Sequence, residues 1–405
     1  MFTQLDYLKP LSLSAAEKNM DFSPLDISEK YNLPLKVKFC KCCVMSNQRP
    51  RIVFDENGIC SACLYWKRKN SEINWSVREQ ELRQVCEKHR SKDGSFDVLV
   101  PSSGGKDSVY VAHLLRDKYG MNPLTMTWAP HLYSEIGYRN FQAKVHAGFN
   151  NISLYPNGVT HRRMSRISAI EIGDPFQPFI YGQTYLPLKV ADFYGIQLIF
   201  DGENGEAEYG GDPESENKSG FSLDDARDYW LSGFPIEKWK AYGFSSKELQ
   251  MYLPPKAEKL CEIERYFASY FLKWEPQRHY FHAVKNTNFK ASTNKRSEGT
   301  YSRYSSLDDL IDPFHYFFSL TKFGLGRCTS DAAHEIREGV LDREEAIALV
   351  NKYDREFPSE KSKQIFQKYC CFNDDELRAL ITKWTNKNLW DGIPNYGGVL
   401  KAPVN

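Results

Sequence analysis

The chain has 405 residues, of which 53 are Lys or Arg and 52 are Asp or Glu, so its formal net charge is +1. A net charge this close to zero gives no sign of a basic surface that binds nucleic acid or of a polybasic membrane anchor. The length exceeds that of one ordinary domain, and the apolar and aromatic content suits a buried core. We therefore expect two globular domains with attachments.

The N-terminal residues predict a protein that is neither exported nor membrane-bound. The first 22 residues hold acidic side chains and a proline where a signal peptide has a basic start and an apolar run. No stretch approaches the roughly 20 uninterrupted apolar residues of a membrane span. Ten cysteines are too few for a disulfide scaffold, and five of them lie within residues 40–63. Such clustering is typical of a metal site in a reducing compartment, so we expect a cytoplasmic protein.

The cysteine cluster predicts a zinc ribbon over residues 36–75, after an N-terminal arm of residues 1–35. Two CxxC motifs, Cys40 with Cys43 and Cys60 with Cys63, are separated by sixteen residues, which is zinc-ribbon spacing. Cys42 is surplus, because using it in place of Cys43 would change the motif to CxC. Four cysteine ligands leave the metal no open position, so the predicted Zn²⁺ is structural. An iron–sulfur cluster or sulfur carriage would use the same thiolates and stays open as an alternative.

The next segments alternate between short apolar runs and helical periodicity. We predict a helix over residues 77–89, strands over 96–100, 124–128, 151–154 and 197–200, and a helix over 109–116 after a glycine turn. This alternation predicts an α/β fold with a parallel, Rossmann-like sheet. Ligands of such sheets bind beyond the carboxyl ends of the strands, so residues 101–108, 128–135 and 201–208 should meet at one crevice.

We place the nucleotide domain at residues 76–330, with a helical insertion at about 212–265 and a return to the sheet over 266–273. Residues 331–405 form a helical C-terminal region. One helix there is well marked, because Asp342 can cap its start and Glu345 lies three residues later.

The glycine turn has the composition of a phosphate-binding loop. Gly104 and Gly105 allow a tight turn and close approach of backbone N–H groups to an anion at a helix start. Ser103 and Ser108 add hydroxyl donors and Lys106 a positive charge. Asp107 would repel phosphate unless Mg²⁺ lies between them.

This loop resembles the SGGxDS signature of the PP-loop ATP pyrophosphatases, and every fixed position of the signature matches. The resemblance implies an adenine nucleotide alpha hydrolase-like fold. It also implies a chemistry in which a carbonyl or amide oxygen attacks the α-phosphorus of ATP and pyrophosphate leaves. A glycine turn before an ordinary helix is the alternative interpretation.

Longer segments resemble the N-acetyl sugar amidotransferases of surface-polysaccharide and pseudaminic- or legionaminic-acid biosynthesis. The likeness extends from about residue 38 to about 354 and includes FDENGICSAC, TWAPHLYSEIGYRNF, GDPFQPFIYGQ, FDGENGEAEYGG and KFGLGRCTSDAAHEIREGVLDREEAIALVNKYD. It implies conversion of an acetamido group on a nucleotide-activated diacetamido sugar to an acetamidino group, with ATP and ammonia consumed. The chain offers no recognisable glutaminase, so a separate glutaminase with a cyclase-like channel subunit is the implied ammonia source.

Further candidate residues lie in the segments that should border the crevice. Trp128 and Gly202 are expected near ATP, although a core role for Trp128 fits equally well. Glu203 and Glu206 are expected beside the phosphate loop, where carboxylates can ligate Mg²⁺ or act as a base that keeps ammonia neutral. A charged surface turn is the plainer interpretation. The catalytic candidates are Lys106, Asp107, Glu203, Glu206 and Arg327. The substrate-binding candidates are His131, Tyr133, Glu135, Asn204, Lys322 and Asp331.

Two other functions use some of the same motifs. A PP-loop tRNA sulfur transferase would need a basic tRNA surface and a working cysteine pair near the nucleotide. The charge of +1 and the lack of any CxxC beyond Cys63 count against it. A zinc-ribbon scaffold that only senses nucleotide would not need Lys106, Asp107 and Ser108 intact.

Overall fold

The computed structural model describes residues 5–222, 232–255, 262–293 and 295–405. Its centre is a five-stranded sheet in the order β3-β2-β1-β4-β5, and every neighbouring pair is parallel. The strands are β1 Val98–Pro101, β2 Pro123–Trp128, β3 Asn150–Leu154, β4 Leu198–Asp201 and β5 Glu264–Phe267. A short antiparallel pair near the C-terminus joins β6, Trp390–Asp391, to β7, Val399–Leu400.

Helices cover both faces of the sheet because successive strand side chains point to opposite sides. Leu99 of β1 faces a core shared with the helices Gly158–Ile172 and Gln177–Tyr194. Val98 and Val100 face a second core, shared with the helices Trp75–His89 and Lys106–Asp117. The result is a three-layer α/β domain, as expected for a buried parallel sheet.

The remaining helices lie around this domain. Among the described residues before 290 they are Ala15–Lys18, Ile27–Lys30, Ser61–Ser71, Glu135–His146, Gly205–Tyr209, Ser246–Leu249, Ala268–Phe271 and Pro276–Thr287. Short 3₁₀ turns occupy Pro213–Ser215, Ile236–Tyr242 and Gln250–Tyr252. The C-terminal region contributes Asp312–Phe323, Arg327–Arg337, Arg343–Tyr353, Glu360–Cys370 and Asp374–Lys383. None of the described helices combines the length and apolarity needed to cross a membrane.

The structure confirms the α/β class and the four expected strands to within two residues at each end. The fifth strand begins at Glu264, inside the segment assigned to the insertion, and a helix follows it where further strand was expected. Before β5 the described part of the insertion holds short helical turns, and residues 223–231 and 256–261 lie outside the described residues. Asp342 caps its helix as expected, accepting the Glu345 N–H at 2.7 Å.

The two ends of the chain pack together. Ile27 and Leu33 of the N-terminal arm are buried in the same core as the helices Glu360–Cys370 and Asp374–Lys383. The segment around the cysteines packs on the helices Arg327–Arg337 and Arg343–Tyr353. The predicted domain boundary at residue 331 lies within the continuous helix Arg327–Arg337.

Candidate active site

The loop after β1 is shaped by a backbone that only glycine fits. Gly104 has φ +95°, and a Cβ there would lie 2.6 Å from the Cα of Phe141, so any side chain is excluded. Gly105 precedes the helix Lys106–Asp117, and no side chain among the described residues caps that helix start. Its first N–H groups are therefore free to bind an anion at the positive end of the helix dipole.

Asp107 is held by two neighbours at the start of this helix. Lys106 Nζ lies 2.5 Å from Asp107 Oδ2, and His279 Nδ1 lies 2.8 Å from Asp107 Oδ1. Burial acts to raise the pKa of Asp107, but Lys106 and His279 outweigh it and hold the pKa below its usual range. An ionised carboxylate can only accept, so His279 Nδ1 carries the proton that it donates. Burial lowers the pKa of His279, which is therefore neutral near pH 7.

A cavity of about 640 Å³ opens at the carboxyl ends of β1, β2 and β4. It lies where the strand order reverses between β1 and β4, which is the usual ligand position in a doubly wound sheet. Several predicted ATP-binding residues line it, namely Ser103, Gly105, Asp107, Ser108, Trp128 and Gly202, together with Glu203. Arg265 and Asp201 form a two-pronged ion pair on its wall, with N–O distances of 2.6 and 2.9 Å. Sequence patterns did not mark that pair.

A smaller cavity of about 130 Å³ lies on the other side of the loop. Ser103, Gly105 and Asp107 line both cavities, so the loop forms the partition between them. Lys106 and Arg327 supply positive charge to the smaller cavity, where Asp308 supplies a carboxyl group. The arrangement suits a phosphate group held between the backbone of the loop and two cations.

Arg327 is positioned by its own helix and the one before it. Its guanidinium lies 2.9 Å from Asp331, one helical turn later, and donates to the Tyr316 hydroxyl at 2.5 Å. Thr300 Oγ1 donates to the same Asp331 at 2.7 Å. Burial acts to lower the pKa of Arg327, but Asp331 and Tyr316 raise it well above its usual range, so the cation persists. Asp331, a predicted substrate ligand, does not line either cavity and instead orients Arg327.

Glu203 is a carboxyl group of the larger cavity whose pKa lies in the neutral range. It follows β4 directly and lines the larger cavity with Asp107. Burial, and then the nearby charge of Asp107, raise the pKa of Glu203 to about 7. A group with that pKa exchanges protons readily at neutral pH. Two carboxyl groups on one wall also provide the oxygen ligands that Mg²⁺ prefers.

Two buried groups that the sequence did not mark support the loop from behind. Lys144 Nζ donates to the Ser102 carbonyl at 2.9 Å and to Asn151 Oδ1 at 2.7 Å. Thr127 Oγ1 donates to the same carbonyl at 2.6 Å. Burial lowers the pKa of Lys144 to about 7. These contacts fix the end of β1, from which the loop departs.

The acidic residues that follow β4 do not all face the crevice. Glu206 faces the cysteine-rich segment, where Arg51 donates to both of its oxygens at 2.6 and 3.0 Å. The side-chain amide of Asn204 accepts a hydrogen bond from the Glu206 N–H and donates one to the Ser215 carbonyl. Neither residue lines the crevice cavities. Both side chains are thus engaged in contacts outside the two cavities.

Most of the segment after β2 turns away from the crevice. Tyr133 pairs with Asp309 in an isolated antiparallel bridge, and His131 Nδ1 lies 2.7 Å from the same Asp309 carboxylate. His131 is buried among aromatic rings, whereas Glu135 is exposed at the start of the helix Glu135–His146. These three residues do not line the two cavities, so within the segment 128–135 only Trp128 joins residues 101–108 and 201–203 at the crevice.

Trp128 is a packed core residue as well as a cavity wall. Its indole lies flat against the backbone at Gly182, where a Cβ would approach Trp128 Cδ2 to 2.1 Å.

Lys322 is farther from the site, because its ammonium donates to the Ile172 carbonyl at 3.3 Å and packs over Trp384. Burial lowers the pKa of Lys322 to about 8. The structure does not bring Lys322 to either cavity.

The four cysteines of the CxxC pairs form a candidate metal centre. The Sγ atoms of Cys40, Cys43, Cys60 and Cys63 all lie within 4.8 Å of one another and are buried. Cys40 and Cys63 Sγ are 3.9 Å apart, and Cys43 and Cys60 Sγ are 3.7 Å apart. Tetrahedral zinc with Zn–S bonds of about 2.3 Å needs sulfur atoms about 3.8 Å apart, so the group fits a structural Zn²⁺. Cys42 stays outside this group, as its surplus position predicted.

The cysteine-rich segment is joined to the crevice by a buried ion pair. Lys69, on the helix that starts at Ser61, lies 2.8 and 2.9 Å from the two oxygens of Glu208. Their side chains are only 4% and 3% exposed. Glu208 belongs to the helix Gly205–Tyr209, which begins two residues after Glu203. The helix Ser61–Ser71 therefore braces the segment that presents Glu203 to the larger cavity.

Comparison with known proteins yields two matches. Residues 298–397, about a quarter of the chain, match the family model described as LPS biosynthesis protein WbpG-like, C-terminal domain. An uncharacterized protein of Methanocaldococcus jannaschii is 28% identical over 86 residues, which cover 21% of this chain and 30% of that protein. The family match contains Arg327 and the helices that pack on the cysteines. It confirms the likeness to the O-antigen biosynthesis family for this part and supports a role in polysaccharide biosynthesis.

Proposed function

We propose, taking residues 298–397 as the WbpG-like domain of a lipopolysaccharide biosynthesis protein, that this chain is an ATP-dependent N-acetyl sugar amidotransferase. It converts the acetamido group of a nucleotide-activated diacetamido sugar to an acetamidino group and releases AMP and pyrophosphate. A separate glutaminase, with a cyclase-like channel subunit, is its ammonia source. The observation that carries the proposal is the glycine loop at the partition of two cavities, with Lys106, Asp107 and Arg327 around it.

The larger cavity is the proposed site of ATP and the acetamido group. Its position at the reversal of strand order and its volume of about 640 Å³ suit a nucleotide next to a second ligand. Mg²⁺ bound to the phosphates would be held by Asp107 and would supply neutralising charge. His279 fixes the rotamer of Asp107 by donating to one of its oxygens, which leaves the other oxygen shared with Lys106.

The first step is attack of the acetamido oxygen on the α-phosphorus. A P–O bond forms to that oxygen and the bond to the leaving pyrophosphate breaks. The N–H groups at the start of the helix Lys106–Asp117, with Lys106 and Arg327, stabilise the negative charge that grows on pyrophosphate. The protein needs no covalent nucleophile, so positioning and charge compensation account for its contribution.

The second step is attack of ammonia on the activated carbon. A C–N bond forms and the C–O bond to AMP breaks, so the former acetamido oxygen departs on the phosphate of AMP. Glu203, which lines the same cavity, accepts a proton from the attacking nitrogen. ATP, ammonia and the acetamido sugar thus give AMP, pyrophosphate and the acetamidino sugar without an external oxidant or reductant.

The test is AMP formation from ATP, Mg²⁺ and an ammonium salt with UDP- or CMP-linked diacetamido sugars. We expect AMP only when a sugar nucleotide is present, and none from a Lys106→Met variant. Lys118→Met, at the exposed end of the same helix, is the matched control and should stay active. AMP formation that tRNA stimulates and sugar nucleotides do not would overturn the proposal in favour of tRNA thiolation.

A further inference from the structure

We propose, on the premise of the amidotransferase function above, that a third cavity between the cysteine-rich segment and the crevice is the entry site for ammonia. It lies against the helix that starts at Ser61, the segment Lys273–Glu275 and the end of the helix Arg327–Arg337. Its lining includes Lys69, Asn70, Trp274, His334, Arg337 and Glu338. None of them belongs to the predicted site.

The size of this cavity selects a very small guest. Its volume of about 110 Å³ is about a sixth of that of the larger crevice cavity, so a nucleotide is too large for it. Asn70 and Lys273 lie towards solvent at its mouth, whereas Lys69, Glu208 and Trp274 are buried deep in it. A small polar molecule can therefore enter from outside and reach the buried end.

The floor presents polar atoms that lack partners. His334 Nε2, Arg337 Nη1 and Glu338 Oε1 are buried and make no hydrogen bond within the part of the chain that the structure describes. His334 and Arg337 are 7% and 5% exposed. Each unsatisfied buried polar atom costs about 1–3 kcal/mol, so a guest that pairs with them is favoured. Burial and then Arg337 lower the pKa of His334 well below its usual range, so its ring stays neutral.

These partners suit ammonia, a small guest that donates through its N–H groups and accepts from Arg337 Nη1 through its lone pair. Glu338 and neutral His334 accept hydrogen bonds from N–H groups, and ammonia has N–H groups to donate. Burial raises the pKa of Glu338 to about 7. Lys69, Arg337, Glu275 and Glu335 act electrostatically on Glu338, Lys273 lines the same cavity, and His334 Nδ1 lies 3.9 Å from Glu338 Oε1. Lys69, Lys273 and Arg337 disfavour a further cation, so ammonium gives its proton to the Glu338 carboxylate and neutral ammonia advances.

Two aromatic side chains separate this cavity from the crevice. Trp274 lines the entry cavity and stands against Gly202, where a Cβ would approach Trp274 Cη2 to 3.2 Å. Gly202 and Glu203 line the larger cavity on the far side. Tyr209 packs on His334 with ring centroids 4.7 Å apart. Trp274 and Gly202 therefore form the wall at this point, and displacement of the Trp274 ring is the proposed route from one cavity to the other.

The experiment compares ammonium dependence in variants of the entry cavity. Glu338→Gln removes the proton acceptor, and Asn70→Trp fills the mouth from an exposed helix position. With ATP and sugar nucleotide saturating, we expect the KM for ammonium to rise about tenfold or more in both, while the KM for ATP stays within about twofold. Glu344→Gln and Asn217→Trp are the exposed controls, because neither residue lines the cavity. They should keep the wild-type ammonium KM.

The outcomes separate this proposal from the one on which it rests. If the wild-type protein forms no AMP with any sugar nucleotide and ammonium, the amidotransferase function fails and the entry site fails with it. If the wild type is active but Glu338→Gln and Asn70→Trp keep its ammonium KM, only the entry site is wrong. Thermal melts of each variant establish that it is folded. If Glu338→Gln does not fold, the ammonium KM of Asn70→Trp alone decides the outcome.

Discussion

The contact between His279 and Asp107 predicts a loss of nucleotide activation in a His279→Phe variant. His279 is fully buried and donates to Asp107 at 2.8 Å. Its ring stacks on Tyr110 at 4.1 Å and meets Trp274 edge-on at 4.3 Å. Phenylalanine retains an aromatic ring of similar size but removes the donor, so most of the packing survives and the hydrogen bond is lost.

The size of the effect follows from the charge on Asp107. A hydrogen bond to a charged group contributes about 1.5–3 kcal/mol. If that energy holds Asp107 in the geometry that the transition state requires, kcat/KM for ATP falls by roughly 10- to 200-fold, at about 1.4 kcal/mol for each factor of ten. The concentration of Mg²⁺ at half-maximal rate should rise with it, because Asp107 is the proposed ligand.

The assay is AMP formation as a function of ATP and Mg²⁺, with two comparison variants. His279→Asn keeps a donor near the position of Nδ1 and should recover part of the activity. His282→Phe, on the same helix but outside both crevice cavities, should behave as the wild type. A folded His279→Phe protein with kcat/KM and Mg²⁺ dependence within about twofold of the wild type would refute the role assigned to this contact.

Three further predictions concern the ion pair, the proton acceptor and the metal centre. Lys69→Met leaves Glu208 buried without a partner and should lower the free energy of unfolding by about 3–5 kcal/mol in urea titrations. The double variant with Glu208→Leu should recover most of that loss, and no recovery would contradict the ion-pair account. Glu203 must be ionised to accept a proton, so kcat/KM should fall as the pH drops below about 7, matching its pKa of about 7. Glu203→Gln should abolish this decrease of kcat/KM at low pH, whereas Glu135→Gln should keep it. If the decrease persists in Glu203→Gln, Glu203 is not the base. Cys60→Ser should lower bound zinc and the melting temperature together in metal analysis and thermal melts, whereas full stability without metal would contradict a structural Zn²⁺.

The sheet and the loop could be predicted because their signals are local. Each strand is a short apolar run next to a turn, and the glycine loop must follow a strand and start a helix to bind phosphate. Gly104 illustrates this, because its left-handed backbone and its contact with Phe141 demand the residue that the motif specifies. The cysteine spacing is equally local, and it identified the four sulfur atoms that the structure brings together.

The partners of these motifs could not be predicted because tertiary packing sets them. His279 lies 172 residues after Asp107 and occupies an otherwise ordinary helix. Lys69 and Glu208 are 139 residues apart. The acidic cluster after β4 gave no sign that Glu203 would face the cavity while Glu206 turned to Arg51. That division depends on where the short helix Gly205–Tyr209 packs against the cysteine-rich segment.

The expected convergence of the strand-end segments failed in part for a similar reason. His131 and Tyr133 follow β2, and their polar side chains suggested an exposed binding loop. In the structure Asp309, which lies 178 residues after His131, accepts from both the backbone and the ring of His131 and draws the segment into the core. A long-range bridge of this kind leaves no periodic pattern in the sequence.

The fate of the acetamido oxygen tests the proposed reaction most directly. A diacetamido sugar nucleotide labelled with oxygen-18 in its acetamido groups is incubated with ATP, Mg²⁺ and ammonium, and the AMP is analysed by mass spectrometry. If the amide oxygen attacks the α-phosphorus, each turnover places one labelled oxygen on the phosphate of AMP and the acetamidino product loses the label from the converted group. Unlabelled AMP formed in step with the acetamidino product would contradict adenylation of the amide.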